Sequence, residues 1–183
     1  MATLDDSVLH HELDRVLIDQ DTIRERVKQL GRQLAADYGD RHPVFVGVLT
    51  GAFIFMADLV RATPIPLDIE FMAVSSYGSA THTSGVVRIL KDLEQPIEGR
   101  DVVIVEDIID SGLTLQYLLD VLKRRNPRSV SVVALFNKVK AERGNLPVDY
   151  VGFDIPDEFV VGYGLDAGRR FRNLPYVAVY SKR

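Results

Sequence analysis

The sequence predicts an α/β domain, a parallel sheet flanked by helices with a small hood formed by the terminal segments. Three observations point there. Apolar runs rich in Val and Ile, such as PVFVGVLT and VVIV, read as strands buried on both faces, the mark of a parallel sheet. Such strands alternate with helical patterns through the middle of the chain. With 183 residues and 46% hydrophobic content, the chain buries one substantial core and suits a single domain. The expected layout is one domain over 1–183, with a core at about 20–150 and a hood from 1–19 and 151–183.

Leu13 to Ile18 reads as a short strand, and Asp19 to Tyr38 as a helix carrying Ile23, Val27, Leu30 and Leu34 on one face. PVFVGVLT is a strand, Ala52 to Arg61 a helix and Leu67 to Ser75 a strand. Gly85 to Leu90 returns as another strand before Asp101 to Val105. After a turn, YLLDVLKRR reads as a helix with apolar positions at Leu115, Leu118, Leu119 and Leu122. Strands then follow at Ser129 to Phe136, Val148 to Phe153, Phe159 to Tyr163 and Tyr176 to Tyr180. No repeat, low-complexity tract or dividing linker interrupts this order.

Composition narrows the function classes. A formal charge of −4 argues against general nucleic-acid binding, and the best basic patch, KRRNPR at 123–128, suits a solvated helix end closed by Pro127. The absence of cysteine excludes disulfides, thiolate metal sites and a Cys nucleophile. The N-terminal MATLDDSVLHHELD lacks an apolar signal core, and no apolar run approaches the ~20 residues of a membrane span. No membrane partner and a cytoplasmic location are the default expectation. His10, His11, His42 and His82 show no metal-ligand spacing and receive no role.

The chemistry concentrates in VVIVEDIIDSGLTL, residues 102–115. The turn after a parallel strand is where open α/β sheets place ligands. Glu106, Asp107 and Asp110 follow an apolar run, where burial of an unpaired carboxylate is costly, so they are expected to face water, a metal or hydroxyl groups. Asp110, Ser111, Gly112, Leu113 and Thr114 form a turn into a helix, whose backbone N–H groups and hydroxyls suit an anion. Gly112 permits close approach of a phosphate. Acids beside an anion cradle are reconciled by a phosphorylated sugar: the cradle takes the phosphate, and Glu106 and Asp107 take ribose hydroxyls, directly or through Mg²⁺. Asp-Ser-Gly alone is explained as well by helix capping; the whole arrangement is not.

VVIVEDIIDSGLT resembles the 5-phosphoribosyl-1-pyrophosphate (PRPP) signature of the type I phosphoribosyltransferases, in the form of their hypoxanthine-guanine branch. LTGAFIFMADL, SSYGSATHTSG, LFNKV and VGFDIPDEFVVGYGLD are similar to the family's further motifs, in its order. The resemblance implies transfer of a phosphoribosyl group from PRPP to a 6-oxopurine, with Mg²⁺ as cofactor. It makes Thr50 and Gly51 part of a pyrophosphate loop, with Arg172 as a pyrophosphate contact. It makes residues 75–85 a lid, with Ser76 and Tyr77 against the reacting region; from the residues alone, this stretch is a long hairpin loop. It assigns the purine to Lys138, Phe159, Val160 and Asp166, and the metal to Glu106, Asp107 and Asp166. Asp110 handles the purine N7 proton. Related enzymes are commonly dimers or tetramers, so a homo-oligomer is expected.

Read without its neighbours, Lys138 is an ordinary exposed lysine and FVVGYG a core strand. In the purine-binding setting, the donor-only ammonium of Lys138 matches the acceptors O6 and N7 of a 6-oxopurine and offers nothing to a 6-amino group. Thr50 and Leu113 stand where some relatives carry a basic residue. The alternative function is a nucleotide-sensing, RNA-binding regulator on the same fold, which predicts a broad basic face and salt-dependent RNA affinity.

Overall fold

A computed structural model describes residues 11–77, 86–139 and 146–181. The first strand, β1 (Leu13–Ile18), leads into helix α1 (Gln20–Tyr38). Asp19 caps that helix, accepting from the Thr22 backbone N–H at 2.8 Å. Strand β2 (Val44–Leu49), helix α2 (Phe53–Ala62) and strand β3 (Asp68–Tyr77) follow. Next come β4 (Val86–Lys91), β5 (Asp101–Ile109), helix α3 (Leu113–Lys123) and β6 (Ser129–Lys138). The described chain closes with β7 (Tyr150–Ile155), β8 (Val160–Val161) and β9 (Val177–Tyr180).

Six strands form one sheet in the order β4-β3-β2-β5-β6-β7, parallel except for β4, which returns antiparallel along the edge. The pleat explains the unbroken Val and Ile runs. Val103 and Val105 of β5 pack toward α1 and α2 with Ile23, Leu30, Leu34, Phe55 and Leu59, while Val102 and Ile104 face α3 with Leu115, Leu118, Leu119 and Leu122. A strand buried on both faces has no polar side to show. A second, three-stranded sheet, β1-β9-β8, forms the hood around Val161, Phe171 and Leu174.

Three expectations are corrected. β5 does not stop at Val105: pairing with β6 continues through Glu106↔Ala134 to Ile109↔Asn137, so Glu106 and Asp107 are strand residues. β7 pairs with β6 in the large sheet, which therefore extends to Ile155 rather than ending near residue 150. The strand expected over Phe159 to Tyr163 shortens to Val160–Val161, because Gly162, Tyr163 and Gly164 all adopt positive φ and turn the chain. The lid segment lies mainly outside the described residues, as do the side chains of Ser76 and Tyr77; the backbone of β3 runs through both.

Candidate active site

The chain leaves β2 toward β3 on one side and β5 toward β6 on the other, so the connections diverge between β2 and β5. In parallel sheets, ligands bind at such a switch point, beyond the carboxyl ends of the strands. Two adjoining cavities lie there. The larger, about 300 Å³, is lined by Gly51, Asp107, Ile108, Asp110, Lys138, Phe159, Val160, Leu165, Asp166 and Arg172. The smaller, about 120 Å³, is lined by Glu106, Ile108, Ile109, Asp110, Ser111, Gly112, Thr114 and Leu115.

The smaller cavity is a cradle at the start of α3. Gly112 holds φ +77° there, and a Cβ in its place would lie 2.0 Å from Leu146 Cδ1. Gly112 offers no side-chain cap, and the Leu113 N–H makes only a long bond, 3.5 Å, to Ser111 Oγ, so this end of the helix suits an anion, whereas Leu113, expected among the ligand contacts, points its side chain largely into solvent. Alternation along β5 divides the acid pair, with Glu106 lining the cradle and Asp107 the larger cavity. Glu106 is 7% exposed, so of the water, metal or hydroxyl surroundings expected for it, bulk water is not the one it meets.

Burial, and then the charge of Asp107, raises the Glu106 carboxyl well above the usual carboxylate range. Asp107 is pushed up to about 6, chiefly by burial; the Ile108 N–H, which donates to Oδ1 at 2.7 Å, pulls the other way, as does Arg172. Folding therefore favours the protonated Asp107. Between its ordinary value of 3.8 and about 6, the folded chain holds a proton that the unfolded chain releases, so this group's contribution to stability falls as pH rises through that window. Denaturant midpoints measured from pH 4 to 7 are expected to show wild type losing ground to Asp107→Asn across this range, with the difference level above about pH 6.

Lys138 is not an exposed lysine. Only 7% exposed, it ends β6 with its ammonium 3.1 Å from Asp110 and 3.5 Å from Asp157. Asp157 was not singled out in the sequence, although it lies within the IPDEFV stretch. Phe159 is 55% exposed, and its ring meets Tyr180 edge-on with centroids 5.6 Å apart, while Val160 is buried beside it. Arg172 pairs with Asp166 at 2.6 Å and donates to the Gly164 carbonyl at 2.6 Å. The other Asp166 oxygen accepts from the Arg169 N–H at 2.7 Å.

The Leu49–Thr50 peptide is cis, and Thr50 is exposed at the loop that follows β2. A Cβ at Gly51 would lie 1.6 Å from Asp107 Oδ2, so only glycine lets this loop run against the acid. Of the predicted residues, the structure thus gathers Gly51, Asp107, Asp110, Lys138, Phe159, Val160, Asp166 and Arg172 around one cavity, and Glu106, Ser111, Gly112 and Thr114 around its neighbour. Among the described residues, no group of three or more His, Asp or Glu could hold a metal ion. Another cavity, about 560 Å³, lies elsewhere, between α1, α2 and the Tyr163–Pro175 segment, and is lined by none of the predicted residues.

Two adjoining cavities lined by acids and a helix N-terminus, beside a hood at the switch point of a parallel sheet, mark an α/β protein with its ligand site at the carboxyl ends of the strands. Residues 18–167 match the family described as the phosphoribosyl transferase domain, and the chain belongs to it. The chain is 48% identical over 172 residues to the hypoxanthine-guanine phosphoribosyltransferase of Bacillus subtilis, covering 94% of this chain and 96% of that one. It is 50% identical over 171 residues to the bifunctional protein TilS/HprT of Listeria innocua, covering 93% of this chain but 26% of the relative. A crystal structure of a hypoxanthine phosphoribosyltransferase from Staphylococcus aureus superposes with a TM-score of 0.92 at 42% identity, covering 97% of each chain. The chain is accordingly a phosphoribosyltransferase of purine salvage.

Among the described residues, no helix is long and apolar enough to cross a membrane. In the basic stretch at 123–128, Arg125 pairs with Asp92 at 2.8 Å and Arg128 with Asp101 at 3.3 Å, which neutralises part of its charge. The RNA-binding alternative is not favoured.

Proposed function

We propose that the enzyme joins hypoxanthine, and guanine, to PRPP, releasing the nucleoside monophosphate and pyrophosphate, as a cytoplasmic homo-oligomer using Mg²⁺. The observation that carries the base assignment is the buried Lys138 ammonium, directed into the cavity beside Asp110. It donates to O6 of a 6-oxopurine; a 6-amino group would leave it facing another donor, a mismatch of roughly 1–3 kcal/mol for each buried polar group left unpaired.

The residues then divide the work. The N-terminus of α3, with Ser111 and Thr114, holds the 5′-phosphate. Glu106 and Asp107 accept the ribose hydroxyls. Gly51 and Arg172 face the pyrophosphate, with Thr50 in the same loop. Phe159 and Val160 form the apolar wall for the base, and Asp110 manages the N7 proton. Ser76 and Tyr77 belong to the proposed lid, whose closure would keep water from the anomeric carbon.

The donor set fits Mg²⁺. Asp107, its carboxyl pushed up to about 6 by burial and in part by the charge of Asp166, and Asp166 itself would hold the cation, with Glu106 contributing through the ribose. With no protein cage among the described residues, most coordination would come from substrate oxygens and water, as Mg²⁺ commonly prefers. When bound, Mg²⁺ supplies charge neutralisation for the departing pyrophosphate. Hypoxanthine and PRPP with Mg²⁺ are expected to yield the monophosphate in a chromatographic assay, and an excess of chelator to abolish it. Turnover unaffected by chelation would remove the metal; no product at all would remove the reaction.

A further inference from the structure

The phenol of Tyr163 has no place in the chemistry above, yet it is 6% exposed and donates to Asp58 Oδ2 at 2.5 Å. Asp58 lies on α2, the helix that begins directly after the Thr50–Gly51 loop, and Arg61 pairs with its other oxygen. Tyr163 sits in the hood between Gly162 and Gly164, and all three residues have positive φ, at 102°, 48° and 100°. An aromatic residue rarely takes this conformation, so the turn must be held from outside. Its backbone is held at several points: Tyr163 N–H donates to Leu174 O at 2.8 Å and Gly164 N–H to Arg172 O at 3.0 Å. The phenol supplies the tie to the neighbouring helix.

This turn presses on the catalytic edge. A Cβ at Gly164 would lie 2.1 Å from the Gly51 carbonyl oxygen, so the two backbones are in direct contact. The Gly164 carbonyl accepts from Arg172, which in turn pairs with Asp166. We propose that Tyr163 and Asp58 are positioning residues for the leaving group, tying the hood turn to α2 so that Arg172 and the Gly51 loop hold their spacing around pyrophosphate. The inference rests on the function proposed above. It predicts a selective effect, because Phe159 and Val160 line the site cavity while Tyr163 and Asp58 line a different one.

The test compares Tyr163→Phe and Asp58→Ala, each of which removes one end of the bond, with Tyr150→Phe. Tyr150 makes a similar phenol-to-carboxylate bond, to Asp37 at 2.9 Å, between β7 and α1, and lines neither site cavity. Loss of the tie should raise the KM for PRPP and the pyrophosphate inhibition constant about ten-fold, with kcat and the purine KM within about two-fold of wild type. Tyr150→Phe should lose thermal stability yet keep all four constants. The proposal is overturned if folded Tyr163→Phe and Asp58→Ala keep wild-type PRPP and pyrophosphate constants, or if Tyr150→Phe shifts them equally. Should Tyr163→Phe not fold, Asp58→Ala decides by the same criterion. A wild type without turnover overturns the parent reading too, whereas an active wild type with unchanged variants overturns only this one.

Discussion

Asp110→Asn should lower turnover by about 10²–10⁴-fold while leaving PRPP binding nearly intact. The side chain stands one residue past the end of β5, about half exposed, where it lines both cavities and meets the Lys138 ammonium. Asparagine keeps its shape and its hydrogen bond to that ammonium but cannot take a proton. The cradle beside it is built from the N-terminus of α3 and Gly112, so it survives the exchange. Steady-state kinetics with hypoxanthine and PRPP varied separately would check this: a fall in kcat with a preserved KM for PRPP is expected, and an unchanged rate would remove Asp110 from the proton-handling role.

Gly164→Ala should be nearly as damaging, although the residue carries no chemistry. Its φ of 100° disfavours any side chain, and the added Cβ would overlap the Gly51 carbonyl oxygen at 2.1 Å. Relief requires the hood turn and the Thr50–Gly51 loop, the proposed pyrophosphate site, to part by about 1 Å, a displacement that costs on the order of 10²-fold when it separates a substrate from its positioning groups. Gly168→Ala is a useful control, since it also has positive φ, at 59°, but meets nothing within 4 Å. The expected result is a large loss of kcat/KM for PRPP in Gly164→Ala and a small one in Gly168→Ala; equal losses would assign the effect to backbone strain alone.

The sequence carries the sheet clearly because a strand buried on both faces must be apolar throughout, as 102–105 and 132–136 are. Helix α1 was equally legible, since Ile23, Val27, Leu30 and Leu34 repeat at helical spacing and all four are buried. What local pattern could not give was the end of β5. The carboxylates of Glu106 and Asp107 argue against a strand, yet β5 continues to pair with β6 through Ile109, and tertiary pairing overrides propensity. Nor could YVGFDI show whether it joins the large sheet or the hood.

The same limit applies to the site. The acid motif and its glycine announce a cradle because their types and spacing carry the chemistry locally. The burial of Lys138 depends on Asp110 and Asp157, which reach it from other segments, so its local context suggested an exposed lysine. The turn at Gly162–Gly164 was hidden for a related reason: two glycines flanking a tyrosine permit a strand with bends as readily as a left-handed turn, and only the contacts with Gly51 and Asp58 decide between them.

The central claim is that this cavity transfers phosphoribosyl groups to 6-oxopurines and discriminates through Lys138. Its most direct test is Mg²⁺-dependent pyrophosphate release from PRPP with hypoxanthine, guanine, xanthine, adenine or uracil supplied separately. Release with hypoxanthine or guanine and none with adenine or uracil is the predicted result. Release with adenine at a comparable rate would contradict the role of Lys138, and silence with all five bases would contradict the reaction itself.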